Sequence, residues 1–189
     1  PIHELKENLE DILAECEQKA RVSLGDKVEY HLRDKIIDGK LYVEQGIIAG
    51  CAGGGFENIC AAADILRGRD TGDGRFTLSV YPASTELMNN GVAGELLSAG
   101  AVVKTAFCGP CFGAGDTPAN GALSIRHSTR NFPNREGSKI QNGQIASVAL
   151  MDARSIAATA AARGFLTGAD ELDVEYTGRT YHFDSSIYD

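Results

Sequence analysis

Three cysteines stand at positions from which their thiols could do chemistry together. Cys51 follows the apolar run GIIAG and precedes Ala52 and three consecutive glycines, while Cys108 and Cys111 form a Cys-Gly-Pro-Cys motif after the run GAVVKTAF. Functional groups of α/β folds lie at the carboxyl ends of their parallel strands. The three thiols could therefore converge at one edge of a sheet, although they are far apart in sequence.

Cys-Gly-Pro-Cys is also the tetrapeptide of thioredoxin-like dithiol oxidoreductases. A dithiol of that kind owes its low thiolate pKa largely to the N-terminus of a helix, whereas the segment FGAGDTPANG after Cys111 is too rich in glycine, proline, Asp and Asn to form one. Thioredoxins also carry Trp before the first cysteine, where this chain has Phe107. A dithiol oxidoreductase remains an alternative, as does a non-catalytic metal-binding or partner-binding module.

The same thiols could bind a metal centre. A structural zinc ion would need a fourth ligand, of which His127 is the nearest histidine in sequence, and zinc sites usually combine two closely spaced pairs of ligands. A [4Fe–4S] cluster suits three cysteines on glycine-rich loops better, because the backbone can approach its sulfides closely. Three thiolates leave one iron without a protein ligand, and that iron could act as a Lewis acid on a substrate hydroxyl or carboxylate.

Two arginines could bind an acidic substrate beside such a centre. Arg130 and Arg135 lie in the polar segment STRNFPNREGSK after a predicted strand. A guanidinium group grips a carboxylate through two parallel hydrogen bonds, but arginines in polar loops are more often solvated or ion-paired, so their role depends on the cluster. Cys16 and Cys60 lie on predicted helix faces beside Leu and Ala, and we expect them to be small buried core residues.

The elements that must position these residues alternate along the chain. Residues 2–20 carry apolar side chains at steps of three and four and predict an amphipathic helix. The segments GIIAG, RFTLSVYP, GAVVKTAF, ALSIRHS and GQIASVAL predict strands, and FENICAAADILRG, residues 84–97 and residues 153–163 predict helices, with Asp152 as a cap. VEYTGRTYHF predicts a hairpin. Together they predict a single domain over residues 1–189, a three-layer α/β/α sandwich with a mainly parallel sheet.

Composition narrows the class of protein. The 189 residues are 43% hydrophobic and 23% charged, which is typical of a folded globular domain, and the net charge of −8 argues against nucleic acid as a partner. No apolar run is long enough for a membrane span, and the acidic N-terminal segment is unlike a signal peptide, so we expect a cytoplasmic protein. Five cysteines, an odd number, favour reduced thiols or metal ligands over disulfides.

These motifs, in this order, resemble those of the aconitase and isopropylmalate dehydratase superfamily. The resemblance runs from about residue 43 to residue 163 and rests on three segments: GIIAGCAGGGFENICAAADIL, GAVVKTAFCGPCFGAG and STRNFPNREGSK. It implies that Cys51, Cys108 and Cys111 hold a [4Fe–4S] cluster and that Arg130 and Arg135 bind substrate carboxylates. The implied reaction is the reversible dehydration and hydration of a hydroxy polycarboxylic acid.

The resemblance is incomplete in two respects. The family usually has Cys-Thr-Asn at the first cysteine and Asn before the first arginine of the loop, whereas this chain has Ala52, Gly53 and Thr129. The chain looks most like the branch described only as hydratases, and the resemblance does not fix the substrate. Enzymes of the family have about four domains, and this chain resembles only the third one. The groups that transfer protons belong to the other domains. We therefore expect a fragment of a larger hydro-lyase that is inactive without its remaining domains.

Overall fold

A five-stranded parallel sheet organises the chain in a computed structural model that describes residues 1–25, 29–129 and 143–186. In chain order the strands are Ile36–Ile37 (β1), Lys40–Leu41 (β2), Gln45–Ile48 (β3), Thr77–Val80 (β4), Val102–Val103 (β5), Leu123–His127 (β6) and Ser147–Leu150 (β7). The first two form a separate antiparallel pair, and the other five form the parallel sheet.

Helices and short 3-10 turns separate the strands. The helices are Ile2–Glu7 (α1), Leu9–Leu24 (α2), Gly50–Gly53 (α3), Phe56–Leu66 (α4), Glu86–Asn89 (α5), Val92–Ser98 (α6) and Ala153–Ala161 (α7). The 3-10 turns are Arg33–Lys35, Gly109–Cys111 and Ala169–Glu171. Within the described ranges, none of the helices combines the length and the apolar character that a membrane crossing requires.

The strand order creates a switch point at the centre of the sheet. Across the sheet the order is β5-β4-β3-β6-β7. The first strand of this sheet is the central strand β3, from which the chain moves outward through β4 and β5 and then returns to the other side of β3 for β6 and β7. The connections that follow β3 and β6 therefore diverge, and such a point leaves a crevice at the carboxyl ends of the strands where ligands bind in open α/β folds.

One face of the sheet holds the main core under α4, α6 and α7, where α4 packs on both α6 and α7. Ile48 and Leu78 are fully buried on this face. Gly46 fits there because a Cβ at this position would lie 2.9 Å from side-chain atoms of both Ile156 and Phe76. Helix α7 begins where predicted, with the Asp152 carboxylate accepting hydrogen bonds from two backbone N–H groups of its first turn.

The second face is covered by the loop that follows β5. Ile47 and Tyr81 belong to a smaller apolar cluster on this face, and the backbone carbonyls of Pro110 and Asp116 accept hydrogen bonds from the side chain of Arg126. The predicted α/β class with a mainly parallel sheet is confirmed. On this face, the packing is supplied by a loop and a 3-10 turn.

The N-terminal helix differs from the predicted one. It breaks at Asn8, where φ is −126°, and continues as α2. Cys16 is exposed, so the prediction that it is a buried core residue is wrong. Its neighbour Glu17 is buried instead and accepts hydrogen bonds from the backbone and side chain of Arg33. Burial raises the pKa of Glu17, but the bonds from Arg33 outweigh it and hold that pKa below its usual value.

Two further predicted elements are present in modified form. The helix predicted over residues 84–97, with Gly91 and Gly94 as positions where it could split, is divided into α5 and α6 at Gly91, whose φ of +81° interrupts the helix. The predicted buried strand before Cys108 contains only two residues and lies at the edge of the sheet, where Val102 is 48% exposed. That strand is therefore present but not buried.

The predicted C-terminal hairpin is wrong. Residues 173–183, named the strap from here on, contain no strand and lie against α4 and α6. The backbone N–H of Thr177 donates to the Asp64 carboxylate at 2.9 Å, and Arg179 donates to Asp64 at 3.1 Å and to Glu95 at 2.6 Å. These bonds connect the strap to neighbouring helices, so its alternating residues pair with side chains rather than with a second strand.

Candidate functional site

The turn that carries Cys51 packs directly on the end of β6. The backbone N–H of Ala49 donates to the carbonyl of His127 at 3.0 Å as the chain leaves β3. Gly50 then adopts a φ of +73°, which favours glycine, and starts α3. Gly53 lies so close to the carbonyl oxygen of His127 that a Cβ there would collide with it. The glycines around Cys51 therefore let this turn approach the neighbouring strand closely.

Cys51 contacts a residue from the other side of the switch point. Its exposed Sγ lies 3.0 Å from the hydroxyl oxygen of Thr129, which follows β6. Either group can donate the proton of this hydrogen bond. The contact joins the carboxyl ends of the two strands whose connections diverge, and Thr129 is one of the positions where this chain departs from the motif it resembles.

Cys111 reaches the same place from the loop after β5. It is 4% exposed and ends the 3-10 turn Gly109–Cys111, where its backbone N–H donates to the carbonyl of Cys108 at 3.1 Å. A Cβ on Gly50 would lie 2.8 Å from the sulfur of Cys111 and 3.4 Å from the hydroxyl oxygen of Thr129. The Cys111 sulfur is thus packed against the backbone of the turn that carries Cys51.

The other predicted site residues are less closely gathered. Cys108 is exposed and belongs to the same short turn as Cys111. In residues 1–25, 29–129 and 143–186, no group of three or more His, Cys, Asp or Glu side chains is arranged to hold a metal ion. The structure therefore brings Cys111 to the Cys51 turn but does not collect three ligands around one point. Arg130 and Arg135 lie outside the described residues.

The donor set suits an iron–sulfur cluster in its chemistry. Thiolate sulfur is the usual protein ligand of such clusters, and Cys51, Cys108 and Cys111 are all free thiols. The missing side chain at Gly50 leaves the space into which the Cys111 sulfur fits. His127 is less suitable as a fourth zinc ligand, because its Nδ1 already accepts a hydrogen bond from the backbone N–H of Ala153 at 3.1 Å.

The loop after Cys111 does not support a dithiol oxidoreductase. Residues 112–122 contain no helix that could place a dipole beside the thiols. Cys111 is buried, whereas Cys108 is exposed, and the turn that joins them has only three residues. The structural feature that lowers a thiolate pKa in redox dithiols is therefore missing from this part of the chain.

Arg126 is a residue of the site that the sequence interpretation missed. It is fully buried in β6, opposite Ile47 of β3. Its guanidinium donates to the carbonyl of Pro110 at 2.9 Å, to that of Asp116 at 2.8 Å and to the side chain of Gln45 at 3.2 Å. The only signal in the sequence is a lone charge at an inward position of ALSIRHS, and this charge holds the loop that contains Cys108 and Cys111.

A second polar cluster fixes the same loop further along the edge of the sheet. Lys104 donates to the Asp116 carboxylate at 2.6 Å and to the Tyr81 hydroxyl oxygen at 3.2 Å, and the Tyr81 hydroxyl donates to Asp116. Burial raises the pKa of Asp116, but hydrogen bonds from Lys104 and Tyr81 overcome this and lower it. The carboxylate therefore stays ionised and anchors the loop to the ends of β4 and β5.

Comparisons with known proteins agree with these motifs. A family model described as the aconitase family (aconitate hydratase) matches residues 1–158. The homoaconitase large subunit of Thermus thermophilus is 36% identical over 138 residues, which cover 70% of this chain and 31% of that protein. A 3-isopropylmalate dehydratase large subunit of Deinococcus radiodurans is 39% identical over 121 residues, which cover 61% of this chain and 28% of that protein.

A third relative has a different substrate in its name. The 2,3-dimethylmalate dehydratase large subunit of Eubacterium barkeri is 32% identical over 141 residues, which cover 72% of this chain and 32% of that protein. The chain thus spans about a third of the length of the curated relatives that it matches. All three names describe large subunits, and the two dehydratases act on different acids.

Proposed function

This chain belongs to the aconitase family, and from that premise we propose that it is the cluster-binding domain of a hydro-lyase. Its substrate would be a small hydroxy polycarboxylic acid that is reversibly dehydrated and hydrated. Cys51, Cys108 and Cys111 would be the protein ligands of a [4Fe–4S] cluster, and Arg130 and Arg135 would bind the carboxylates of the substrate. A cytoplasmic location is part of the same proposal.

The observation that carries this proposal is the packing of the Cys111 sulfur on Gly50. The Cys111 sulfur lies there against the backbone next to Cys51, although 59 residues separate the two cysteines in sequence. Core packing alone does not require a buried thiol beside a turn that carries an exposed one at the carboxyl ends of the strands. Binding of one polynuclear centre by both loops gives this arrangement a chemical reason.

When bound, a cluster held by three thiolates supplies a Lewis-acidic iron for a substrate hydroxyl or carboxylate. The residues of this chain would hold the cluster and orient the substrate. Thr129 restrains the Cys51 sulfur through a 3.0 Å contact, and the glycines let both cysteine loops approach closely. The planar guanidinium groups of Arg130 and Arg135 would fix two carboxylates and so orient the carbon atoms that react.

Catalysis by such an enzyme also requires proton transfer. We place the groups that perform it on the remaining domains of a larger enzyme, because this chain spans about a third of its relatives. Those relatives are large subunits, so a smaller subunit is a further partner that we propose. The chain without these partners would bind the cluster but would not turn over substrate.

The test is anaerobic reconstitution of the chain with iron and sulfide. We expect visible charge-transfer absorption and about four irons per chain, as a cubane cluster requires. Cys51→Ser should abolish both signals, because it removes the ligand that comes from the other loop. Cys16→Ser is the matched control, since Cys16 is an exposed thiol on α2 and should be dispensable.

The same variants separate the proposal from a redox dithiol. A dithiol enzyme needs only Cys108 and Cys111, so Cys51→Ser would leave its chemistry intact. Equal iron and sulfide uptake by Cys51→Ser and the unmodified chain would therefore contradict our assignment. Failure of the unmodified chain to take up iron and sulfide would also count against it.

A further inference from the structure

We propose that Arg126 is a positioning residue that holds the turn between Cys108 and Cys111 in place and thereby keeps the Cys111 sulfur against Gly50. The cluster-binding role of Cys111 rests on the function proposed above. The packing of the turn does not, and it can be tested without any metal. Arg126 would act through the polypeptide backbone, without contact with the substrate.

The guanidinium group of Arg126 binds the backbone of the turn that ends at Cys111. Its Nη1 donates to the carbonyl of Pro110 at 2.9 Å, and Pro110 lies immediately before Cys111. Its Nε donates to the Ser124 hydroxyl oxygen at 3.0 Å, which orients the group along its own strand. A hydrogen bond to the residue next to Cys111 restricts where the Cys111 sulfur can lie.

The same guanidinium holds the far end of the loop. Its Nη2 donates to the carbonyl of Asp116 at 2.8 Å and to the Gln45 side-chain oxygen at 3.2 Å. The Gln45 amide in turn donates to the carbonyl of Asp116 at 3.1 Å. The Pro110 end of the segment 110–116 is therefore attached to β6, and the Asp116 end is attached to both β6 and β3, the neighbouring strands at the switch point.

Only an arginine side chain can make this set of bonds. The guanidinium carries five N–H donors in a rigid plane, whereas the ammonium group of lysine is a compact charge that cannot span two separate carbonyls. Arg126 is 0% exposed and Pro110 is also buried, so the Pro110 carbonyl would lose its donor at a place with little access to water, whereas the Asp116 carbonyl would keep the bond from Gln45. The loop has no strand or helix of its own beyond the turn at Gly109–Cys111, so its conformation depends on these bonds together with those from Lys104 and Tyr81 to the Asp116 carboxylate.

The natural reporter of this role is the accessibility of the cysteines. Cys111 and Cys60 are both buried, but Cys111 lies in the attached loop and Cys60 lies on α4. Release of the loop should expose Cys111 and leave Cys60 protected, whereas general unfolding should expose both. The exposed thiols of Cys51 and Cys108 should react at once and control for the reagent.

The experiment is pulsed labelling of the metal-free chain with N-ethylmaleimide at constant pH, followed by mass spectrometry of the cysteine peptides. We expect Arg126→Met to raise the labelling rate of Cys111 by about tenfold or more through local opening, with Cys60 unchanged. Gln45→Ala is a milder second variant that removes one partner of the guanidinium and should raise the rate less. Arg126→Lys should restore protection only in part.

Arg179→Met is the matched control. It also removes a largely buried arginine, but one that contacts Asp64 and Glu95 and interacts with the thiol of Cys60. We expect this variant to raise labelling of Cys60 and to leave Cys111 protected. The two arginine variants would then show opposite patterns, which a general loss of stability cannot produce.

The outcome that overturns the proposal is parallel labelling of Cys111 and Cys60 in both Arg126→Met and Gln45→Ala, or no change at Cys111 in either. Uptake of iron and sulfide gives a second readout, which should fall in Arg126→Met while the circular dichroism spectrum stays the same. If the unmodified chain takes up no iron, the proposed function fails. The labelling of Cys111 still decides the role of Arg126.

Discussion

Gly50 is the residue at which the Cys51 turn and the Cys111 sulfur meet, and it has two reasons to be glycine. Its φ is +73°, and a Cβ would lie 2.8 Å from the Cys111 sulfur. We expect Gly50→Ala to lower the free energy of unfolding by about 1–2 kcal/mol from the backbone conformation alone. The added methyl group should also displace Cys111, which faster labelling of that thiol would reveal, and should reduce iron uptake.

Gly39 offers a control for this prediction because its φ is almost the same. Its φ is +74°, and nothing lies within 4 Å of the position that a Cβ would occupy. Gly39→Ala should therefore show a similar loss of stability in urea unfolding but normal protection of Cys111. If both variants expose Cys111 equally, the contact at Gly50 has no special role in the site.

Single residues were predictable from the sequence when their role depended on local position. Cys51 stands after an apolar strand and before glycines, and this was enough to predict that it lies at the carboxyl end of a strand, which the structure confirms. Arg126 was not predictable, because its acceptors lie 10 and 16 residues earlier and no local pattern identifies them. Cys16 was predicted wrongly, because the buried position of Glu17 depends on Arg33 from another element.

At the scale of elements, the strap is the part that local pattern describes least well. Its alternation of apolar and polar residues is typical of strands, yet it pairs with α4 and α6 through side chains. Helix α4 itself was predictable because its apolar spacing and its flanking glycines are local features. Strand β5 was predicted but not its exposure, since the sequence does not reveal which strand lies at an edge.

Asp64 tests how firmly the strap is attached. Its side chain is 3% exposed and lies 3.1 Å from the guanidinium of Arg179, which is 14% exposed. Removal of Asp64 leaves the largely buried guanidinium of Arg179 with Glu95 as its carboxylate partner, so we expect Asp64→Ala to lower the free energy of unfolding by about 3 kcal/mol, the lower end for a broken buried pair. The strap should also become sensitive to limited proteolysis near Thr177, whose backbone N–H loses its acceptor.

An exposed ion pair with the same N–O distance provides the comparison for Asp64. Asp70 and Arg163 also approach to 3.1 Å, but their side chains are 58% and 66% exposed. Asp70→Ala should therefore change stability by less than about 1 kcal/mol and leave the strap resistant to protease. Equal losses of stability in the two variants would mean that burial does not strengthen the contact with the strap.

On the scale of the whole molecule, the alternation of strands and helices was enough to predict a parallel α/β sheet. The strand order was not predictable, because it depends on whether the loop after β5 returns to the other side of β3. That return creates the crevice and brings Thr129 next to Cys51. The location of the site therefore follows from topology, while the residue types that occupy it follow from the sequence.

The pH dependence of stability reflects both the net charge of the chain and three carboxylates whose pKa values are lowered in the folded state. The net charge is −8 at pH 7 and the pI is about 5.0, so acidification from pH 7 to pH 5 relieves mutual repulsion and should hold or slightly raise stability. Below that range a different effect dominates. The pKa values of Glu17, Asp64 and Asp116 are each lowered by hydrogen bonds that outweigh burial.

A carboxylate with a lowered folded pKa stabilises the protein fully above its unfolded pKa and loses that contribution as the pH falls through the folded value. The unfolded values are 4.5 for Glu17 and 3.8 for Asp64 and Asp116. Urea unfolding across a pH series should therefore give a flat or slightly rising free energy down to about pH 5 and a steep fall below pH 4.5. Asp64→Asn should make the fall in stability below pH 4.5 less steep, because one of the three carboxylates that take up a proton is removed. If the stability of the unmodified chain instead keeps rising to pH 3, relief of charge repulsion outweighs the contribution of the three carboxylates.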